Sequence, residues 1–198
     1  MTDRPIIFSA PMVRAMLDGR KTQTRRVLKE PAPYDDGDDI DAAVVTGFIA
    51  PKYRARDRLW VRETCATWGR GPDREPVEYP VAYAADDPEW EGIKHDARHS
   101  RGDEWKIRPS IHMPRWASRL TLIVTDVRVQ RLQDISEADA IREGVTLIEE
   151  SLENPRDAFA LLWNSLHGHD AWDANPWVVA VSFEVHRCNI DQMGESHE

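Results

Sequence analysis

The sequence predicts an α+β fold, a mixed or antiparallel β-barrel with short helices over its ends and a long loop insertion. Several strand candidates are separated by only three short helical stretches, without the regular β-α-β alternation that builds a parallel, doubly wound sheet. One run, Arg119 to Arg131, interleaves Leu120, Leu122, Val124, Val127 and Val129 with polar residues, the period-two pattern of a long strand. The stretch from Trp68 to about Arg108 is instead polar and rich in glycine and proline, so it reads as an excursion from the core. At 198 residues the chain can bury one substantial core. The expected organisation is a single domain over residues 1–190, an insertion at about 68–108 and a flexible tail at 191–198.

Pro5 to Phe8 is a short apolar strand candidate, and Ser9 with Pro11 opens a helix from Ala10 to about Asp18 that Gly19 stops. Gln23 to Leu28 reads as a strand, so Lys21 lies in the helix-to-strand corner and Thr24 at the strand's start. Asp35 to Asp39 lacks the spacing and terminal glutamate of a calcium loop and is expected to be a solvated turn. Arg58 to Thr64 resembles a strand, and Pro80 to Ala84 is a strand candidate inside the excursion. Ser136 opens a helix through about Glu143, with Asp139 as an acidic variant of the capping box and Gly144 as its stop. Asn154-Pro155 starts another, placing Phe159, Leu162, Trp163 and Leu166 on one face, and Gly168 ends it. Trp177 to Val185 is a final buried strand.

Net charge is −9, which argues against long, non-specific contact with a nucleic-acid backbone. Cations gather in Arg14 to Lys29 and Lys52 to Arg62, while the chain beyond Asp134 holds only Arg142, Arg156 and Arg187 against many carboxylates. A local basic cleft on an acidic body suits a small anionic or nucleoside-sized ligand. Two cysteines, Cys65 and Cys188, make no disulfide framework, and no signal-like run follows Met1, so a reduced, cytoplasmic protein is expected. No apolar stretch approaches the roughly 20 residues that cross a bilayer as a helix, and no membrane partner is expected.

The densest polar run is Gly19 to Arg26, and it admits two readings. Its cations can cap a helix end, or they can form the lip of a ligand site, since such a set is poor core material. Elsewhere the candidates are weak. His95 and His99 have i, i+4 spacing but no further ligands, so they read as solvated loop histidines, as do His167 and His169. Cys65 has no local base and reads as a packed thiol. Trp68, Tyr79, Tyr83, Trp90 and Trp105 can stack on a base or pin the excursion to the body. No glycine-rich phosphate loop is present. Lysine, threonine and a carboxylate form a sensible acyl-transfer set: a neutral lysine activates the hydroxyl, and the acid protonates a leaving amine. Arg20, Arg25 and Arg26, and burial, would push the Lys21 amine toward neutrality.

The segment ending Asp18-Gly19-Arg20-Lys21-Thr22-Gln23-Thr24-Arg25-Arg26 resembles the signature of the ASCH domain of the PUA-like superfamily. Asp57 to Glu63, the strand Leu120 to Arg131, the Ser136 to Gly144 helix and the strand Trp177 to Val185 fall where that family places its barrel and flanking elements. Phe8 to Val13 and Pro109 to Arg119 are similar to segments of longer ASCH proteins carried by phages and prophages. The resemblance implies a PUA-like barrel and, through the branch that deacetylates N4-acetylcytidine, an amidohydrolase of N4-acylated cytosine nucleosides or a related modified base. It implies Lys21 as proton acceptor, Thr24 as nucleophile and Glu143 as acid. Arg26 and Arg62 are then candidate substrate or oxyanion contacts and Trp60 a wall of the site, with no metal or cofactor. The alternative is a module that binds a modified base or single-stranded RNA without amidohydrolase activity, or with only weak ribonuclease activity, because binders and enzymes share this fold. A third reading is a phage accessory protein with a protein partner.

Overall fold

Clean alternation of burial is confined to Arg58–Arg62 and Val81–Tyr83 among the described strands. The computed structural model describes residues 2–28, 51–68, 81–99, 105–145 and 154–194. The acidic turn at Asp35 to Asp39 and the aromatic Tyr79 lie outside them. The chain divides into two compact units, one of Met1–Leu17, Arg58–Leu122 and Val185–Glu198, the other of Asp18–Asp57 and Ile123–Glu184.

In the first unit, β1 (Asp3–Ile7) runs parallel to β3 (Arg58–Arg62), pairing Asp3 with Arg58 through Ile7 with Arg62. Leu59 and Val61 are buried, while Arg58, Trp60 and Arg62 alternate with them on a half-buried face. Helix α1 (Ala10–Leu17) buries Val13, Ala15 and Met16. The stretch expected to be a loop excursion forms a second sheet. Strands β4 (Cys65–Trp68), β5 (Val81–Tyr83) and β6 (Trp105–Arg108) pair antiparallel in the order β5-β4-β6. Over them lies α2 (Trp90–His99), whose Ile93 packs with Ala66 and Ala82, and with Trp90, Trp105 and Ile107 at the edge. These strands are three or four residues long, too short for alternation to register. The helix is polar apart from the narrow stripe of Trp90, Ile93 and Ala97, of which only Ile93 is fully buried, so its composition reads as loop.

Several local expectations change with that sheet. His95 and His99 sit on α2 rather than in a loop, exposed, with their rings stacked 4.3 Å apart. Among the described residues no group of three or more histidines, cysteines and carboxylates is placed to hold a metal ion. Cys65 is fully buried, and burial together with Glu63 pushes its thiol up to about 11. Trp90 and Trp105 pack inward, while Trp68 meets Trp105 edge-on at 5.4 Å.

In the second unit, β2 (Gln23–Val27) runs antiparallel to β8 (Trp177–His186), pairing Gln23 with Ser182, Thr24 with Val181 and Arg25 with Ala180. Strand β7 (Thr121–Arg131) spans eleven residues and passes from one unit into the other. Helix α3 (Glu137–Arg142) starts at Ser136, whose hydroxyl accepts from the Asp139 N–H at 3.1 Å. Helix α4 (Pro155–His167) starts at Asn154, whose side chain caps the Arg156 N–H. Gly144 and Gly168 follow the two helices at φ of 83° and 114°, a region that favours glycine. The core between them holds Leu132, Ile135, Ala140, Phe159, Trp163 and Val178. Leu166, expected on that face, is 58% exposed, because the buried face of α4 ends at Trp163.

The five-stranded order is β1-β3-β7-β8-β2. The described residues thus form an α+β fold with two sheets, and no closed barrel is seen among them. No described helix is long and apolar enough to cross a membrane.

Candidate active site

The approach to β2 is stitched down on both sides. Gly19 turns the chain at φ of 74°, Lys21 forms an isolated antiparallel bridge with Glu143, and the Thr22 N–H donates to the Arg142 carbonyl at 2.9 Å. On the other side the Phe183 N–H donates to the Thr22 carbonyl at 2.9 Å. The backbone is therefore extended from Lys21 onward, and alternate side chains, those of Lys21, Gln23 and Arg25, all reach α3 and the residue that ends it. Helix geometry supplies the matching half. Asp139 and Glu143 are four residues apart, so one face of the turn presents both carboxylates.

The Lys21 Nζ donates to Glu143 Oε2 and to the Glu143 carbonyl, each at 2.8 Å. Arg25 Nη1 donates to Glu143 Oε1 at 3.0 Å and to Gln23 Oε1 at 2.6 Å, and its Nη2 donates to Asp139 Oδ2 at 3.3 Å. Gln23 Nε2 donates to Asp139 Oδ1 at 3.3 Å and to Ser182 Oγ at 3.0 Å. At the rim, Arg128 Nη2 and Arg142 Nη1 reach Asp139 at 3.1 and 3.4 Å. The Phe159 ring lies 5.8 Å from the Arg25 guanidinium. Charges this deep are costly unless paired, and here two carboxylates meet four cations.

Lys21 is 2% and Glu143 4% exposed, and that burial sets their chemistry. Burial pushes the Lys21 amine below the ordinary lysine value; Glu143 opposes the shift, while Arg26 and Arg25 add to it. Asp139 is lowered as well, but by its partners rather than by burial. Against the penalty of burial, Arg128, Arg25 and Gln23 hold its carboxyl below the usual carboxylate value. A lysine of this kind gives up its proton more readily than one in water.

The structure brings Lys21 and Glu143 into direct contact. Thr24 is buried between Gln23 and Arg25, opposite Val181, and alternation assigns it to the other face of β2 from those two neighbours. Arg26 is exposed, opposite Val179. Trp60 and Arg62 belong to the first unit, where the Arg62 guanidinium sits 5.3 Å over the Trp60 ring and donates to the Ile111 carbonyl. The expectation that Gly19 to Arg26 forms an exposed lip needs correction. Lys21, Gln23, Thr24 and Arg25 are buried, because α3 supplies the carboxylates that make burial tolerable. Arg20 and Arg26 stay exposed, the former paired with Asp18 at 2.8 Å. Sequence reasoning also missed Gln23 and the central role of Asp139, whose carboxylate turns toward the arginines. Alternating positions 21, 23 and 25 facing an acidic i, i+4 pair were the available signal.

No protein-family model matches the chain, and no curated protein matches it. Among solved structures it is similar to an Enterococcus faecalis V583 protein of the DUF984 family, at 13% sequence identity and a TM-score of 0.42. That likeness covers 100% of this chain and 85% of the other.

Proposed function

We propose that the chain is an ASCH-type amidohydrolase with a PUA-like barrel, acting on N4-acylated cytosine nucleosides or a related modified base. The observation that carries this reading is the buried Lys21 amine, held 2.8 Å from the Glu143 carboxylate in surroundings that lower its proton affinity. The reaction requires the Thr24 hydroxyl, which strand alternation assigns to the other face of β2, to come within reach of Lys21 in the substrate complex. Neutral Lys21 then takes its proton as Thr24 Oγ1 attacks the acyl carbonyl carbon, giving a tetrahedral oxyanion. Lys21 hands that proton to Glu143, and Glu143 gives it to the exocyclic nitrogen as the carbon–nitrogen bond breaks, which leaves Lys21 neutral and Glu143 ionised again. The cytosine leaves with its amine, and an acyl ester remains on Thr24. Lys21 then deprotonates a water that attacks this ester, releasing the carboxylic acid and returning the proton to Thr24. Exposed Arg26 on the same strand supplies positive charge for the substrate or the oxyanion.

The test is turnover of N4-acetylcytidine, followed by the absorbance change as cytidine forms. Lys21→Ala, Thr24→Ala and Glu143→Gln are each expected to lower it by about 10²–10⁴-fold. Full activity in the Thr24 variant would remove the nucleophile from the scheme. Base binding without turnover is the second reading, favoured by the Arg62 guanidinium stacked over half-buried Trp60. It requires salt-sensitive binding of single-stranded RNA that Trp60→Ala abolishes, with no acetylcytidine hydrolysis.

A further inference from the structure

The Glu143 carboxylate is held at both ends. Lys21 takes Oε2 at 2.8 Å and Arg25 takes Oε1 at 3.0 Å, so neither oxygen can turn away without losing a charged partner. Arg25 is fixed in its turn, by Gln23 Oε1 at 2.6 Å and by Asp139 Oδ2 at 3.3 Å. Asp139 and Glu143 lie on one turn of helix, so Arg25 closes a triangle whose third side is covalent. The clamp also answers a local problem. Glu143 is the residue that ends α3, where the helix dipole disfavours a carboxylate, and cations from another element are needed to keep it buried.

Resting on the amidohydrolase reading, we infer that Arg25 is a positioning residue, which fixes Glu143 so that one carboxylate oxygen stays on Lys21, and that Asp139 fixes Arg25. Lysine in its place would keep the charge but lose the fork that spans Gln23, Asp139 and Glu143 together. Methionine would keep much of the volume and lose both. The charged groups that act on Lys21 are Glu143 at the end of α3 and Arg26 and Arg25 on β2, while Asp139 with Arg128 and Arg142 lies beyond Arg25. Removing Arg25 takes away a cation that repels the Lys21 ammonium and leaves Glu143 to Lys21 alone. Both changes favour protonated Lys21.

The experiment pairs the pH profile of N4-acetylcytidine turnover with a direct titration of the Lys21 amine by nitrogen NMR, its signal assigned with Lys21→Arg. Arg25→Met is expected to move the acid limb and the Lys21 titration to higher pH. Arg25→Lys is expected to leave both near the wild-type position while turnover falls about a hundredfold, the scale of a misplaced catalytic group. Asp139→Asn is expected to cost turnover less, with the limb unmoved, and it serves where Arg25→Met fails to fold. Equal losses in the Arg25 variants with no movement of either titration would overturn the proposal and leave Arg25 a packing residue. If the wild type hydrolyses nothing, the amidohydrolase reading falls, and the Lys21 titration alone decides whether Arg25 governs the Lys21–Glu143 pair.

Discussion

Each unit holds an ion cluster around a buried glutamate, and the two are built on opposite plans. In the first, one guanidinium serves two carboxylates: Arg119 donates to Glu63 at 3.0 and 3.1 Å and to Asp86 at 2.7 and 3.0 Å, over the face of Tyr83 at 3.8 Å. In the second, Lys21 and Arg25 share Glu143 while three arginines surround Asp139. The first cluster depends on a group that does not release its proton, and burial pushes Glu63 and Tyr83 up, the latter to about 12. The second contains an amine pushed down. Buried salt bridges alone therefore do not mark a reactive site; what separates these two is whether the central cation can change its charge.

The sharpest test of that contrast is to remove each central cation. Arg119→Ala strands Glu63, which is 1% exposed, while Asp86 stays in solvent, and is expected to cost about 3 kcal/mol in denaturant unfolding. Lys21→Met leaves Glu143 with Arg25, so its cost in stability should be smaller. Its cost in acetylcytidine turnover should be about 10²–10⁴-fold. Equal destabilisation by the two substitutions would erase the distinction.

The pH dependence of stability should carry opposite signs in the two clusters. Lys21 binds its proton less tightly folded than unfolded, so stability rises with pH between its lowered value and the ordinary lysine value of about 10.4. Lys21→Met should flatten that rise. Glu63, raised by burial against the pull of Arg119, binds its proton more tightly when folded. Stability is therefore lost as pH climbs from about 4.3 through its folded value, and Glu63→Gln should lose that slope. Thermal unfolding of both variants across pH measures the pair. The smallest effect is expected at the rim, where Arg142 is 59% exposed and 3.4 Å from Asp139; Arg142→Ala should change stability by about 0–1 kcal/mol.

What could be read from the chain follows the length of its elements. Strands β7 and β8 repeat their pattern long enough to be seen, and Ser136, Asn154, Gly144 and Gly168 mark helix ends through local hydrogen bonding or backbone conformation. The β5-β4-β6 sheet escaped because its strands are short and α2 buries only Ile93. In the candidate site, residue types pointed to Lys21 and Glu143, but their burial could not be foreseen. It depends on pairing between segments 122 residues apart, which local composition does not encode. The same distance hid Asp139, which looks like an ordinary helix-start acid until Arg25 and Arg128 arrive.

That separation has a consequence for how the protein comes to exist. During synthesis Lys21 and Arg25 emerge long before Glu143, and the bridge between residues 21 and 143 closes a loop whose entropy must be offset by contacts made elsewhere first. The Lys21–Glu143 pair is thus expected to form late in folding. Glu143→Gln is expected to speed unfolding while leaving the refolding rate nearly unchanged, a division that stopped-flow kinetics would resolve.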